Sequence, residues 1–209
     1  MDYEQMSNNK VQLSGVVVKK PVFSHEILGE NFYESEISVK RLSASADVIP
    51  FTISDRLMTE YSVDEGSELN IIGQFRSYNK IIDNRNKLML TVFVREITEI
   101  EDNDVNVIEL TGYVCKSPVY RTTPFKREIC DMLVAVNRQY NKSDYIPCIA
   151  WGRNARYAKS FEVGDKIKLV GRIQSRVYQK QIDEEIVERV AYEVSVNRLA
   201  VDEDNVGEI

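Results

Sequence analysis

The chain has 209 residues, 43% apolar and 29% charged, with a formal net charge of −6, a composition that suits a folded protein with one or two cores and excludes wholesale disorder. Its apolar runs are a few residues long, well short of the roughly 20 that span a bilayer as a helix, and no basic-then-apolar leader opens it, so a cytoplasmic protein with no membrane contact is expected. One histidine (His25), three cysteines without C-x-x-C spacing (Cys115, Cys130, Cys148) and no G-x-G-x-x-G or P-loop leave no metal centre, histidine-based triad or nucleotide cradle; no cofactor and no catalysed reaction are expected.

In chain order, the β-branched runs at 11–18 ("VQLSGVVV"), 37–39 and 47–54 read as strands. Ser54 is an N-cap for a short helix, "DRLMTEY", and Gly66 closes the segment after it. Two more strands follow at 69–75 ("LNIIGQF") and 87–94 ("KLMLTVFV"). The layout then recurs. An offset of 97 carries Leu13 to Leu110, Gly15 to Gly112, and Asp47, Ile49 and Pro50 to Asp144, Ile146 and Pro147. It becomes 98 for Gly66, Gly73 and Ser77, and 102 for Val92, Val94 and Ile97. The second helix, "ARYAKSF", takes Asn154 as its N-cap. The expected fold class is all-β: two tandem OB-fold five-stranded Greek-key barrels, at 9–100 and 106–201, each with one short helix between strands 3 and 4. A short acidic tail occupies 202–209. A small Ig-like sandwich is the alternative, and the helix speaks against it.

The two copies differ in what one strand face carries. Side chains alternate along a strand, so Tyr145, Pro147, Ile149 and Trp151 share a face and Ile146, Cys148 and Ala150 the other. Taken alone, the aromatic face would be core. In the first copy the apolar face is Ile49, Phe51 and Ile53, and a shared register therefore points Tyr145 and Trp151 outward. On the fourth strand of the second copy, Ile167, Leu169, Gly171 and Ile173 form the inner row, while Lys166, Lys168, Arg172, Gln174, Arg176 and Tyr178 lie opposite. Residues 106–201 hold 16 Lys and Arg against 11 Asp and Glu, whereas residues 9–100 hold 11 against 13. Cations interleaved with outward aromatics suit an unpaired nucleic-acid strand: the cations track phosphates and the rings stack on bases.

The segments "NVIELTGYVCKSPVYRTTP", "LVAVNRQY", "DYIPCIAWGRNA", "VGDKIKLVGRIQSRVY" and "YEVSVNRL" closely resemble the bacterial single-stranded DNA-binding protein family across nearly all of 106–201. The resemblance implies an OB barrel that wraps single-stranded DNA without reading its sequence. It further implies that Tyr145, Trp151 and Tyr178 stack on bases, that Arg172 and Arg176 lie near phosphates, and that Arg121 and Arg138 are motif arginines. Lys166 and Lys168 complete the nucleic-acid-binding set on charge grounds. Two features depart from the family: Phe125 and Lys126 follow Pro124, and "VDEDNVGEI" stands where a long Gly- and Pro-rich tail is usual. The first copy resembles the family only in skeleton, with Val48, Ser54 and Lys80 at the aromatic positions, and reads as a degenerate OB domain.

The function expected is sequence-independent binding and protection of single-stranded DNA in replication, recombination or repair; the pattern admits RNA as well. The alternative is an OB-fold interaction or primosome-type accessory protein that binds nucleic acid weakly. An enzymatic reading has only the acidic cluster "IDEEIVE" behind it, which sits in a hairpin. Apolar residues on both faces of "VQLSGVVV" suggest a further buried surface, and a homodimer of four barrels is expected. Replication or repair proteins are possible partners, although the tail that would recruit them is shortened.

Overall fold

Strand β1 (Asn9–Ile27) turns back into β2 (Glu30–Lys40), and β2 pairs antiparallel with β3 (Ala46–Ser54). Helix α1 (Asp55–Glu60) leads to the hairpin of β4 (Glu68–Ile82) and β5 (Arg85–Thr98). A parallel contact joins β5 to β3 and an antiparallel one returns β4 to β1, so these five strands close on themselves. The second half repeats the circuit with β6 (Asn106–Val114), β7 (Val119–Thr122), β8 (Glu128–Arg138), β9 (Lys142–Trp151), α2 (Arg153–Ala158), β10 (Lys166–Ile182) and β11 (Glu185–Val201). Its closing contacts are β9 to β11 and β10 to β6, with β6 also meeting β8. This is a computed structural model, and it describes residues 8–43, 45–82, 85–100, 104–182 and 185–202.

The all-β OB architecture agrees with the expectation, including a short helix between the third and fourth strands of each copy. One detail differs. The first strand of the second copy breaks after Val114, and β7 resumes as a short separate strand on β8, giving that half six strands. The second helix is also capped differently. Ser54 Oγ accepts the Leu57 N–H at 3.4 Å ahead of α1, as expected. Asn154, however, lies inside α2, whose preceding residue is Gly152 at φ 54°, and Asn154 Nδ2 donates instead to the Asn197 carbonyl at 3.0 Å.

Strand alternation sets the core. Ile49, Phe51 and Ile53 are buried in the first half and Ile146, Cys148 and Ala150 in the second, the rows assigned from the repeat. Cys130 is likewise a small apolar core residue. The register slips at Ile72/Gly73 on β4 and at Val170/Gly171 on β10. At each slip a carbonyl lies over the glycine: a Cβ on Gly73 would fall 2.3 Å from the Phe93 oxygen, and one on Gly171 2.3 Å from that of Ser195. Only glycine fits a backbone approach that close.

The halves are joined edge to edge. β1 pairs antiparallel with β6, Asn9 opposite Leu110 and Leu13 opposite Asn106, making one eleven-stranded sheet. Asn9 bonds both backbone groups of Phe75, at 2.8 and 2.9 Å, and Asn106 does the same to Ile173 at the same distances. Of the apolar residues in "VQLSGVVV", Val11, Leu13 and Val17 face the core, while Val16 and Val18 on the other face of β1, and Val107 on β6, remain exposed.

Candidate nucleic-acid interface

The aromatic residues of β9 point away from the core because their neighbours Ile146, Cys148 and Ala150 fill it. Tyr145 is 46% exposed and Trp151 37%, while Ile149 between them is buried. The outward face is therefore not uniformly open. Gln174 and Glu193 cover part of it, joined by a 2.7 Å hydrogen bond, and Gln174 is buried where a solvent-facing position was expected. Tyr178 is half-buried on β10, with the Arg176 guanidinium 5.8 Å from its ring centre. Arg176 also lies 3.7 Å from Glu193 and keeps most of its side chain in solvent.

The remaining expected cations are drawn to carboxylates, and these divide them into separate places. Arg121 on β7 pairs with Asp131 on β8 at 2.7 Å in the open. Lys166 and Lys168 both reach Asp202, at 2.8 and 2.7 Å. Those contacts hold the Asp202 carboxyl down at about 2. Eight residues separate Lys168 from Arg176 along β10, roughly 26 Å at strand rise, so the two lysines do not belong to the Arg176–Tyr178 patch. The acidic tail beyond Asp202 lies outside the described residues.

Arg172 and Arg138 occupy the junction of the halves. Arg172 Nη1 contacts Asp47 at 3.1 Å, and Arg41 Nε donates to the same carboxylate at 2.8 Å. Asp47 Oδ1 also accepts the Ser175 N–H. Across the pseudo-twofold, Arg138 lies 3.1 Å from buried Asp144, whose Oδ1 accepts the Ser77 N–H at 2.7 Å. Burial pushes the Asp144 carboxyl up despite these partners. Ser77 Oγ in turn accepts the Tyr145 N–H at 2.8 Å, placing that aromatic at the seam. The D-x-I-P motif is thus written twice because its aspartate fastens each half to the other, a role the sequence pattern did not disclose.

The description "Single-strand binding protein family" matches residues 105–202. Single-stranded DNA-binding protein 1 of Clostridium acetobutylicum is 33% identical over 104 residues, which cover 42% of this chain and 93% of that protein. The chain belongs to the single-strand binding protein family. Its similarity to single-stranded DNA-binding protein 1 of Lactococcus lactis is 33% over 84 residues, 37% of this chain and 56% of that one. For the Staphylococcus aureus (strain COL) protein the values are 32% over 84 residues and 50% of its length. The chain therefore spans about half the length of those two relatives. In fold, the wild-type single-stranded DNA binding protein from Thermus aquaticus superimposes with a TM-score of 0.74 at 16% identity, covering 96% of each chain. The likeness in fold thus extends over both halves, whereas the family description falls on the second.

Proposed function

We propose that this protein binds single-stranded DNA without reading its sequence, protecting it during replication, recombination or repair. The observation that carries the reading is the outward placement of Tyr145 and Trp151 on β9, in the half that matches the family and that also holds exposed Arg176 against half-buried Tyr178. Bases stack on Tyr145, Trp151 and Tyr178, while Arg121, in an exposed ion pair with Asp131, and Arg176, whose side chain is mostly in solvent at 3.7 Å from buried Glu193, turn to phosphates. Arg138 and Arg172 at the seam, and Lys166 and Lys168 beside Asp202, add positive potential along the strand's path.

The working unit we propose is two barrels per chain, at 9–100 and 106–201, with two chains forming a cytoplasmic homodimer of four barrels. Val16 and Val107 support the pairing as apolar side chains left exposed on strands whose other face is core. The protein acts by binding and catalyses no reaction. Trp151 is the sole tryptophan and reports on the site. Its emission should fall when a dT oligomer is added at low salt and recover as salt displaces the strand. Emission that ignores the oligomer while Trp151 stays solvent-accessible to a small quencher would remove the site from this face.

A further inference from the structure

Among the described residues, the first half has an array of rings and guanidiniums, running from buried Phe32 to exposed Arg95, with no counterpart in the second. Phe93 stands on β5 between the core residues Val92 and Val94, with the Arg76 guanidinium 4.0 Å and that of Arg95 5.0 Å from its ring centre. Phe32 follows at 5.4 Å, and His25 stacks on Phe32 at 5.2 Å and 14°. Arg95 occupies the extra position where β5 slips against β4, and such a bulge re-aims a side chain. In the second half, Gln174, Ser195 and Asn197 take the places of Arg76, Phe93 and Arg95.

Charge in this array is unbalanced. Burial, then the positive charges of Arg95 and Arg138, bring Arg76 down to about 10, against the attraction of Asp144. Its Nε is buried without a hydrogen-bond partner, and its Nη2 donates to neutral Gln74 Oε1 at 2.9 Å. Arg95 is lowered as well by burial, with Glu30 opposing. Arg76 and Arg138 thus share the field of Asp144, itself engaged by the Ser77 N–H and Arg138, while Arg95 feels Glu30 instead. At the equivalent place in the second half, Gln174 and Glu193 satisfy one another. Partly desolvated guanidiniums with N–H groups left to donate are suited to bind phosphate.

We propose that Arg76 and Arg95, seated on Phe93 and flanked by Arg138, form a second phosphate-binding site that receives the backbone of the DNA strand as it passes Tyr145 onto the first half. The inference rests on the single-stranded DNA reading above. Continuity comes from the seam: the Tyr145 N–H bonds to Ser77, the residue next to Arg76. A phosphate rather than a base is the occupant, because both guanidiniums already lie against the Phe93 ring and leave their outer N–H groups to donate.

The test is a titration of the full chain with dT oligomers of about 8 and about 30 nucleotides, bracketing the site size of one OB fold. The R76Q/R95Q variant should bind the short oligomer within about twofold of wild type and the long one about tenfold more weakly, with a salt slope shallower by about 0.7 for each phosphate no longer neutralised. R95Q alone, which leaves the seam intact, should show the same length-dependent weakening in smaller degree and guards against misfolding of the double variant. Unchanged affinity for the long oligomer, or equal weakening at both lengths, overturns the second site. Wild-type protein that binds neither oligomer removes the DNA-binding reading itself, and this site with it.

Discussion

Asp47 and Ser175 stand 128 positions apart in the chain, and the Asp47 carboxylate accepts the Ser175 backbone N–H at 2.8 Å. Two guanidiniums, Arg41 and Arg172, hold the same carboxylate. Asp47→Ala leaves both cations and a backbone donor without their acceptor, and should cost roughly 3 to 5 kcal/mol, the range for breaking a buried ion pair. Asp144→Ala should cost less, because Asp144 has one close guanidinium and its burial already opposes ionisation. Urea unfolding of the two variants checks the order; equal losses would contradict it.

Trp151 is an outward residue with only part of its ring covered. Trp151→Ala should therefore weaken dT binding by roughly 1 to 3 kcal/mol, the range for removing one base stack, and barely move the melting temperature. A core aromatic would behave in the opposite way, with a stability loss of about 3 to 5 kcal/mol. One binding isotherm and one melt on the same sample separate the two.

Arg172 and Arg176 are four residues apart on β10 but have different employment. Arg172 neutralises buried Asp47, so Arg172→Ala should lower stability as well as DNA affinity. Arg176 has a long 3.7 Å contact with Glu193 and an exposed side chain; Arg176→Ala should weaken DNA binding and leave the unfolding free energy within about 0.5 kcal/mol of wild type. A stability loss for Arg176→Ala as large as that for Arg172→Ala would show that both belong to the seam.

Asp202 supplies the pH dependence. Its carboxyl is lowered from an ordinary 3.8 to about 2 by Lys166 and Lys168. A depressed carboxyl contributes stability above its unfolded value and loses it as pH falls through its folded value. The stability gap between wild type and Asp202→Asn should be full above pH about 4 and should close toward pH about 2. Asp144 acts with the other sign: its raised carboxyl takes stability away as pH climbs through its folded value. Chemical unfolding of Asp202→Asn and Asp144→Ala from pH about 2 up to neutrality separates the two, since the Asp202 contribution changes below its ordinary 3.8 and that of Asp144 above it.

Light scattering should return about twice the 24.1 kDa chain mass at micromolar concentration. Replacing Val16 and Val107 with Lys should reduce the measured mass toward that of one chain while preserving the β-sheet circular dichroism. A wild-type mass near 24.1 kDa removes the proposed dimer.

The repeat made most of the fold legible, because a two-residue strand period compared across two copies identifies the inner row without coordinates. Ile49 and Ile146 correct the assignment that Trp151 alone would suggest. The break after Val114 was not legible, since its proline, Pro118, has a twin at Pro21 inside an unbroken strand. The aromatic candidates were legible for the same reason as the core. The partners of the cations were not: Asp47 meets Arg172 across 125 positions, and no local spacing announces a contact at that separation. Arg76 and Arg95 were equally hidden, because their equivalents in the second copy, Gln174 and Asn197, are neutral and mark no site.

The β1–β6 seam has one more consequence. When two identical subunits meet about an axis, every substitution appears on both sides of it. Here the equivalent surfaces are encoded separately, so Gln74 can stand opposite Arg172 in the repeat and Thr91 opposite Glu193. The molecule is a pseudo-symmetric pair with a left and a right, and a linear polymer lying across it meets different chemistry at its two ends.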